Sequence, residues 1–204
     1  MPPDPGTPEG IAGTYHRRAA AFDASRDRTL YERPWLDRLT QGLPPGAPVL
    51  DLGCGAGEPI AAYLAGQRFT VTGLDASAPM LAMARARVPQ ARFIEADMRG
   101  LALGTRFAAI LAWDSFFHLR PADQLALIPR LAAHLAPGGR LLFTCGPDAG
   151  EPIGTVGGEP VYHASLTPAG YAVALEAAGL LPRVFIAEDP ATQGRSLWLA
   201  ERRA

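Results

Sequence analysis

The chain has no lysine: all 19 of its basic residues are arginine. With alanine, glycine and proline abundant, this bias is read as the base composition of a GC-rich bacterial genome. Cysteine is nearly absent. Cys54 and Cys145 are the only two, and neither has a Cys or His partner at zinc-ligand spacing, which excludes a zinc module and a disulfide-built scaffold. Two free buried thiols are expected, with a disulfide between them left open because both end strands of one sheet. No run of about 18 apolar residues occurs, which excludes a membrane helix. The opening Met-Pro-Pro-Asp-Pro lacks the basic-then-apolar pattern of a secretory signal, so a cytoplasmic location is expected. Charge is sparse and balanced: 19% of residues are charged, with a formal net charge of −1. No basic stripe is available for DNA or RNA. What remains is 204 residues at 48% hydrophobic content, enough for one globular domain with a sizeable core.

No internal repeat is visible. Residues 1–10 are rich in Pro and Gly and are expected to be mobile. Helices are predicted at 11–25 and 30–42, the second from the spacing of Leu36, Leu39 and Leu43, with Gly42 and Pro44-Pro45-Gly46 as its stop. Together, residues 1–46 form a predicted helical cap. From 47 to 204 strands and helices alternate, which implies a parallel α/β sheet. Strands are expected at 49–52, 69–74, 91–95, 107–112 and 140–144. Leu125, Ile128, Leu131, Ala132 and Leu135 mark one face of the helix after the fourth strand, and Pro129 should kink that helix or shift its start. Thr167-Pro168 opens a last helix and Gly179 closes it. Residues 182–187 and 195–200 pair across a turn near Thr192-Gln193-Gly194, which makes the last strand antiparallel. The stretch 146–166 has no period and is read as a loop on the ligand side, roofing the site together with the N-terminal helices.

The most informative run is Val49-Leu50-Asp51-Leu52-Gly53-Cys54-Gly55-Ala56-Gly57-Glu58-Pro59. A buried strand ends in a carboxylate, a glycine turn follows, and a helix opens, with Pro59 suited to its first turn. Such a cradle lets a ligand touch backbone. A dinucleotide fold would carry glycine where Glu58 stands. Glu58 and Asp51 would repel a pyrophosphate and suit a cation. Two more strand ends carry acids at matching places: Asp75 after the second and Asp97-Met98 after the third. Ser77 is a predicted N-cap, with Pro79 in the first turn after it.

These residues, with Trp113-Asp114-Ser115-Phe116-Phe117-His118 after the fourth strand and Pro137-Gly138-Gly139 before the fifth, resemble the class I methyltransferases that use S-adenosylmethionine (SAM). The resemblance covers about residues 47–146. It implies a three-layer Rossmann-like fold with a seven-stranded, mostly parallel sheet in the order 3-2-1-4-5-7-6. It also implies SAM as cofactor, S-adenosylhomocysteine (SAH) as product, and no metal. The implied cofactor residues are Asp51, Gly53, Cys54 and Gly55 at the turn; Asp75, Ala76 and Met80 for the ribose side; Asp97 and Met98 for adenine; and Trp113 near the sulfonium. Tyr15 would close over the methionine end.

For catalysis His118 is the leading base candidate, since it follows the fourth strand and titrates near neutrality. Asp114 is a second candidate, or would orient His118. Phe116, Phe117, Tyr162 and His163 are candidate substrate residues. The Asp/Asn-Pro-Pro-aromatic and Pro-Cys motifs of base-methylating enzymes are absent, as is the acidic cluster of a magnesium-dependent catechol enzyme. A small-molecule acceptor, methylated on O, N, S or C by a monomer or homodimer, is therefore the expectation. A non-catalytic SAM- or SAH-binding module and an NAD-dependent oxidoreductase are the alternatives.

Overall fold

The structure, a computed structural model, describes residues 3–203. In chain order the elements are α1 (Ile11–Ser25), α2 (Arg33–Thr40), β1 (Pro48–Leu52), α3 (Ile60–Gly66), β2 (Thr70–Asp75), α4 (Ala78–Arg87), β3 (Arg92–Glu95), β4 (Phe107–Ala112), α5 (Pro121–His134), β5 (Leu135–Cys145), β6 (Ile153–Val156), β7 (Glu159–Tyr162), α6 (Pro168–Ala177), β8 (Leu180–Asp189) and β9 (Arg195–Arg202). Seven strands form one sheet in the order β3-β2-β1-β4-β5-β9-β8. The first five are parallel, and β9 runs antiparallel to both β5 and β8. This is the expected order, once β6 and β7 are set aside as a separate hairpin.

Strand period two builds the three layers. Leu50, Leu52, Ile110 and Phe143 face one side, where Leu127 and Leu131 of α5 and Tyr171 and Leu175 of α6 meet them. Val49, Val71, Leu111 and Leu142 face the other, against Leu36 and Leu39 of α2, Leu64 of α3 and Leu81 of α4. Burying a leucine of this kind contributes roughly 1.5–3 kcal/mol. Ser77 caps α4 by accepting the Met80 N–H, and Thr167 caps α6 through Gly170.

Several local expectations are corrected. Residues 3–10 are not an open tail: Thr7 bonds back to Asp4 and Gly10 to Thr7, and Arg120 pairs with Glu9. Residues 1 and 2 lie outside the described region. The second helix is shorter than 30–42, because Leu30 takes a left-handed φ of +59° and Pro34 sits in the first turn. Pro59 is the N-cap of α3, one place before its first turn. Helix α5 runs through Pro129, which lies on the exposed side with Leu125 at 46% exposure. Water there can replace the missing hydrogen bond. The buried stripe of α5 uses Gln124 and Leu127 in place of Leu125. The strand expected at 140–144 begins at Leu135, with Pro137-Gly138-Gly139 as a bulge between the Phe107–Leu135 and Ala109–Arg140 pairs. The segment 146–166 holds the β6–β7 hairpin. Gly157 and Gly158 have φ of +56° and +83°, as a two-residue primed turn requires.

Candidate active site

A cavity of about 700 Å³ opens at the carboxyl ends of the parallel strands, beneath α1 and the β6–β7 hairpin. Helix α1 is tied down at both ends of that roof. Asp23 takes two hydrogen bonds from Arg87 of α4 at 2.6 Å, and Arg17 and Arg18 pair with Glu159 of β7 at 2.7 and 2.8 Å.

The floor under β1, β2 and β3 is built by the glycine turn and three acids. The Gly53 and Cys54 N–H groups donate to the Leu74 carbonyl at 2.7 and 3.2 Å. A Cβ on Gly53, whose φ is +74°, would meet Ser115 Cβ at 2.3 Å; Ser115 Oγ in turn donates to the Leu52 carbonyl at 2.6 Å. Gly55 differs: its φ is +52°, and a Cβ there would meet no atom within 4 Å and would fill the cavity instead. The Asp75 carboxylate accepts the Gly55 N–H at 2.9 Å and the Ser77 N–H at 2.8 Å, so it splints the turn to the second strand. Burial pushes its pKa up. Asp51 is buried beneath the turn, and one of its oxygens has no hydrogen-bond partner. Burial first, and then the charge of Asp75, push its pKa up to about 7. Asp97 is held by Arg99 at 2.5 Å; burial pushes its pKa up, but the Arg99 side chain and backbone N–H outweigh this and leave it low. Glu58 faces Arg28 at 3.3 Å and Arg87 at 3.6 Å. Cys54, Ala76, Met80 and Met98 line the same floor. Both cysteines are free thiols, and burial pushes Cys145 up to about 12.

Beyond β4 and β5 the lining changes. His118 sits in a 3-10 turn, Phe116–His118. Its Nδ1 lies 2.9 Å from the Tyr162 carbonyl and its Nε2 2.9 Å from the Tyr15 hydroxyl. A carbonyl only accepts, so Nδ1 carries the proton and Nε2 accepts from Tyr15. His118 does not titrate near neutrality as expected: burial pushes it down to about 4, so it is neutral near pH 7. Burial likewise raises the Tyr15 pKa. Trp113 is buried at the cavity wall with its indole N–H unpartnered.

Three assignments change here. Asp114 does not orient His118: it pairs with Arg195 at 3.0 Å, and its left-handed φ of +48° is held by its N–H bond to Thr144 Oγ1 at 2.8 Å. Phe116 is not a substrate residue but core, fully buried against Phe143 and Tyr171. Tyr162 stands outside the cavity lining: its hydroxyl donates to Glu151 at 2.5 Å, and only its carbonyl serves the site, through His118. Phe117 and His163 do line the cavity. Sequence reasoning missed Arg26, Tyr31, Ser115 and Arg195. Arg195 was within reach, because an antiparallel last strand starts at the ligand edge, where Ser196 pairs with Cys145. Arg26 belongs to no motif. It pairs with the fully buried Glu32.

Among the described residues no cluster of His, Cys, Asp or Glu could hold a metal ion, and no helix is long and apolar enough to cross a membrane. The family model described as a methyltransferase domain matches residues 49–139. The dTDP-3-amino-3,6-dideoxy-alpha-D-glucopyranose N,N-dimethyltransferase of Streptomyces fradiae is 37% identical over 133 residues, 64% of this chain and 47% of that protein. The trans-aconitate 2-methyltransferase of Paracidovorax citrulli is 41% identical over 107 residues, 51% of this chain and 40% of that protein. The chain thus spans less than half the length of these two curated relatives. A SAM-bound amino pentose methyltransferase from Micromonospora echinaspora, involved in calicheamicin biosynthesis, superposes with a TM-score of 0.70 at 25% identity, covering 91% of this chain and 96% of that one. Residues 49–139 thus match a methyltransferase domain, and the chain has the Rossmann-like fold of the SAM-bound methyltransferase it superposes on.

Proposed function

We propose that the protein methylates a small molecule on an O, N, S or C atom, using SAM. The observation that carries this reading is the convergence of Asp51, Asp75 and Asp97, from three successive strand ends, on one cavity around the open Gly55. Of the acidic side chains lining that cavity, Glu9, Asp23, Glu58, Asp97 and Asp114 pair with arginines, whereas Asp51 and Asp75 have no arginine partner among the described residues; these two suit a ligand bearing sulfonium and ammonium charges and disfavour the pyrophosphate of NAD. The partnerless oxygen of Asp51 is a further mark of a cationic guest. Small-molecule acceptors are supported by the relatives, whose names specify an amino sugar derivative and trans-aconitate.

In this reading Asp51 faces the ammonium group. Each Asp75 oxygen, already accepting one N–H, keeps a lone pair for a ribose hydroxyl. Asp97, fixed by Arg99, takes the adenine amino group, and Met98 packs on the ring. Trp113 and Tyr15 enclose the sulfonium end. Held by these residues, SAM would supply an electrophilic methyl group for attack by the acceptor's lone pair. His118, neutral and with Nε2 as acceptor, takes the proton the acceptor gives up, directly or through the Tyr15 hydroxyl that donates to it. Alignment and exclusion of water carry the rest, worth up to about 7–11 kcal/mol of barrier. Calorimetric titration with SAM, SAH and NAD tests the reading. Saturable binding of the first two alone supports it, and preference for NAD or binding of none would overturn it.

A further inference from the structure

The half of the cavity beyond β4 and β5 is lined differently from the half over β1, β2 and β3. Phe117, His118 and His163 form a continuous wall of three rings. Phe117 stands edge-on to both histidines with centroids 4.9 and 4.8 Å away, and the histidines are 4.9 Å apart. Tyr15 meets His118 edge-on at 5.4 Å. Ile11 of α1 and Val156 and Val161 of the hairpin add aliphatic surface.

Among the described residues no free positive charge faces this space. The three arginines that line the cavity are each engaged: Arg26 with Glu32, Arg99 with Asp97, and Arg195 with Asp114. Both histidines are uncharged near pH 7, since burial holds their pKa values below the ordinary one. An anionic acceptor would have to displace a carboxylate from an arginine inside an acid-rich cavity. An uncharged ring meets no such cost and gains offset or edge contacts with the wall. His163, half-buried, adds one ring donor and one acceptor to fix its orientation.

We infer, building on the methyltransferase reading, that the acceptor is an uncharged planar aromatic or heteroaromatic molecule bearing a hydroxyl or amine, bound against the wall of Phe117, His118 and His163. The acceptors named for the two curated relatives, an amino sugar derivative and trans-aconitate, are of other kinds.

Three probes titrated into the SAH-loaded protein test the inference: 1-naphthol, 1-hydroxy-2-naphthoate and trans-aconitate. The first two share a ring and differ by one carboxylate. Naphthol is expected to bind about tenfold or more tighter than either anion, with an affinity that salt leaves unchanged. Phe117→Ala and His163→Ala should each weaken naphthol binding by about two- to tenfold. An anion bound as tightly as naphthol, no naphthol binding, or indifference to both substitutions would overturn the inference. SAH is titrated first. Its failure to bind would sink the methyltransferase reading itself, whereas SAH bound with an anion preferred would sink only the inference.

Discussion

Asp51 gives the sharpest test, because its charge state is coupled to the ligand. Burial and the neighbouring Asp75 push its carboxyl up to about 7, so in the empty protein it is largely protonated below neutrality. A cationic guest needs it ionised. If only the ionised form binds, SAM affinity falls about 50-fold from pH 7 to about pH 5, approaching tenfold per unit at the acid end. The same linkage demands that binding near pH 6 release about 0.9 proton. Asp75, also raised by burial, would add in the same direction. His118 does not interfere, since it titrates near 4. Thermal stability is a poorer readout because the two groups oppose each other. Asp51, raised, stabilises the empty fold below about 4 and loses that contribution as pH rises to about 7. His118, lowered, costs stability as pH falls from about 6.5 to 4. The assay is therefore calorimetric titration of SAM at several pH values, in two buffers of different ionisation enthalpy to count protons. Asp51→Asn should bind more weakly at pH 7 and flatten the profile. An affinity constant from pH 5 to 7, with no proton released, would refute the reasoning.

Asp75→Ala should weaken SAM and also lower the melting temperature of the empty protein, because two charge-assisted bonds to Gly55 and Ser77 go with it, each worth about 1.5–3 kcal/mol; unchanged SAM affinity would remove Asp75 from the ribose. The two turn glycines should separate stability from binding. Gly53→Ala meets Ser115 Cβ at 2.3 Å and a φ of +74°, so it should destabilise by roughly 1–3 kcal/mol, read by denaturant unfolding. Gly55→Val projects into open cavity and should abolish SAM binding; SAM still bound in that variant would contradict the cradle. His118→Ala should leave SAM affinity within about twofold yet slow turnover of the true acceptor by about 10²–10⁴, while Tyr15→Phe should slow it less; equal loss of SAM affinity and turnover would move His118 to the cofactor site.

The framework was legible wherever a residue's local role dictated its type. Buried strand runs, the glycine turn, Ser77 and Thr167 as caps, and acids at strand tips all announce themselves within a few residues. That is why β1, β2 and β4 and the glycine turn with Asp51, Asp75 and Asp97 could be placed. What escaped depended on contacts distant in sequence. Phe116 and Phe117 are adjacent and chemically identical, yet the 3-10 turn buries one against Phe143 and aims the other into the cavity. Asp114 looked free to serve His118 until a strand 81 residues away supplied Arg195. The β6–β7 hairpin was hidden by strands of four residues each, too short to show alternation, although Gly157-Gly158 between them was a turn signal.

The insertion of β9 between β5 and β8 joins a pairing local in sequence to a distant one. The β8–β9 hairpin is local in sequence, and pairs of this kind form in about 1–10 μs. Docking that hairpin onto β5 joins Cys145 to Ser196 and Arg140 to Glu201, a far longer loop closure and a slower one. Until it happens, the edge of β5 from Leu141 to Cys145, buried in the finished fold, is an open template for another chain. The same docking brings Arg195 to Asp114. Covering that edge and bringing Arg195 to Asp114 at the cavity therefore depend on the same docking.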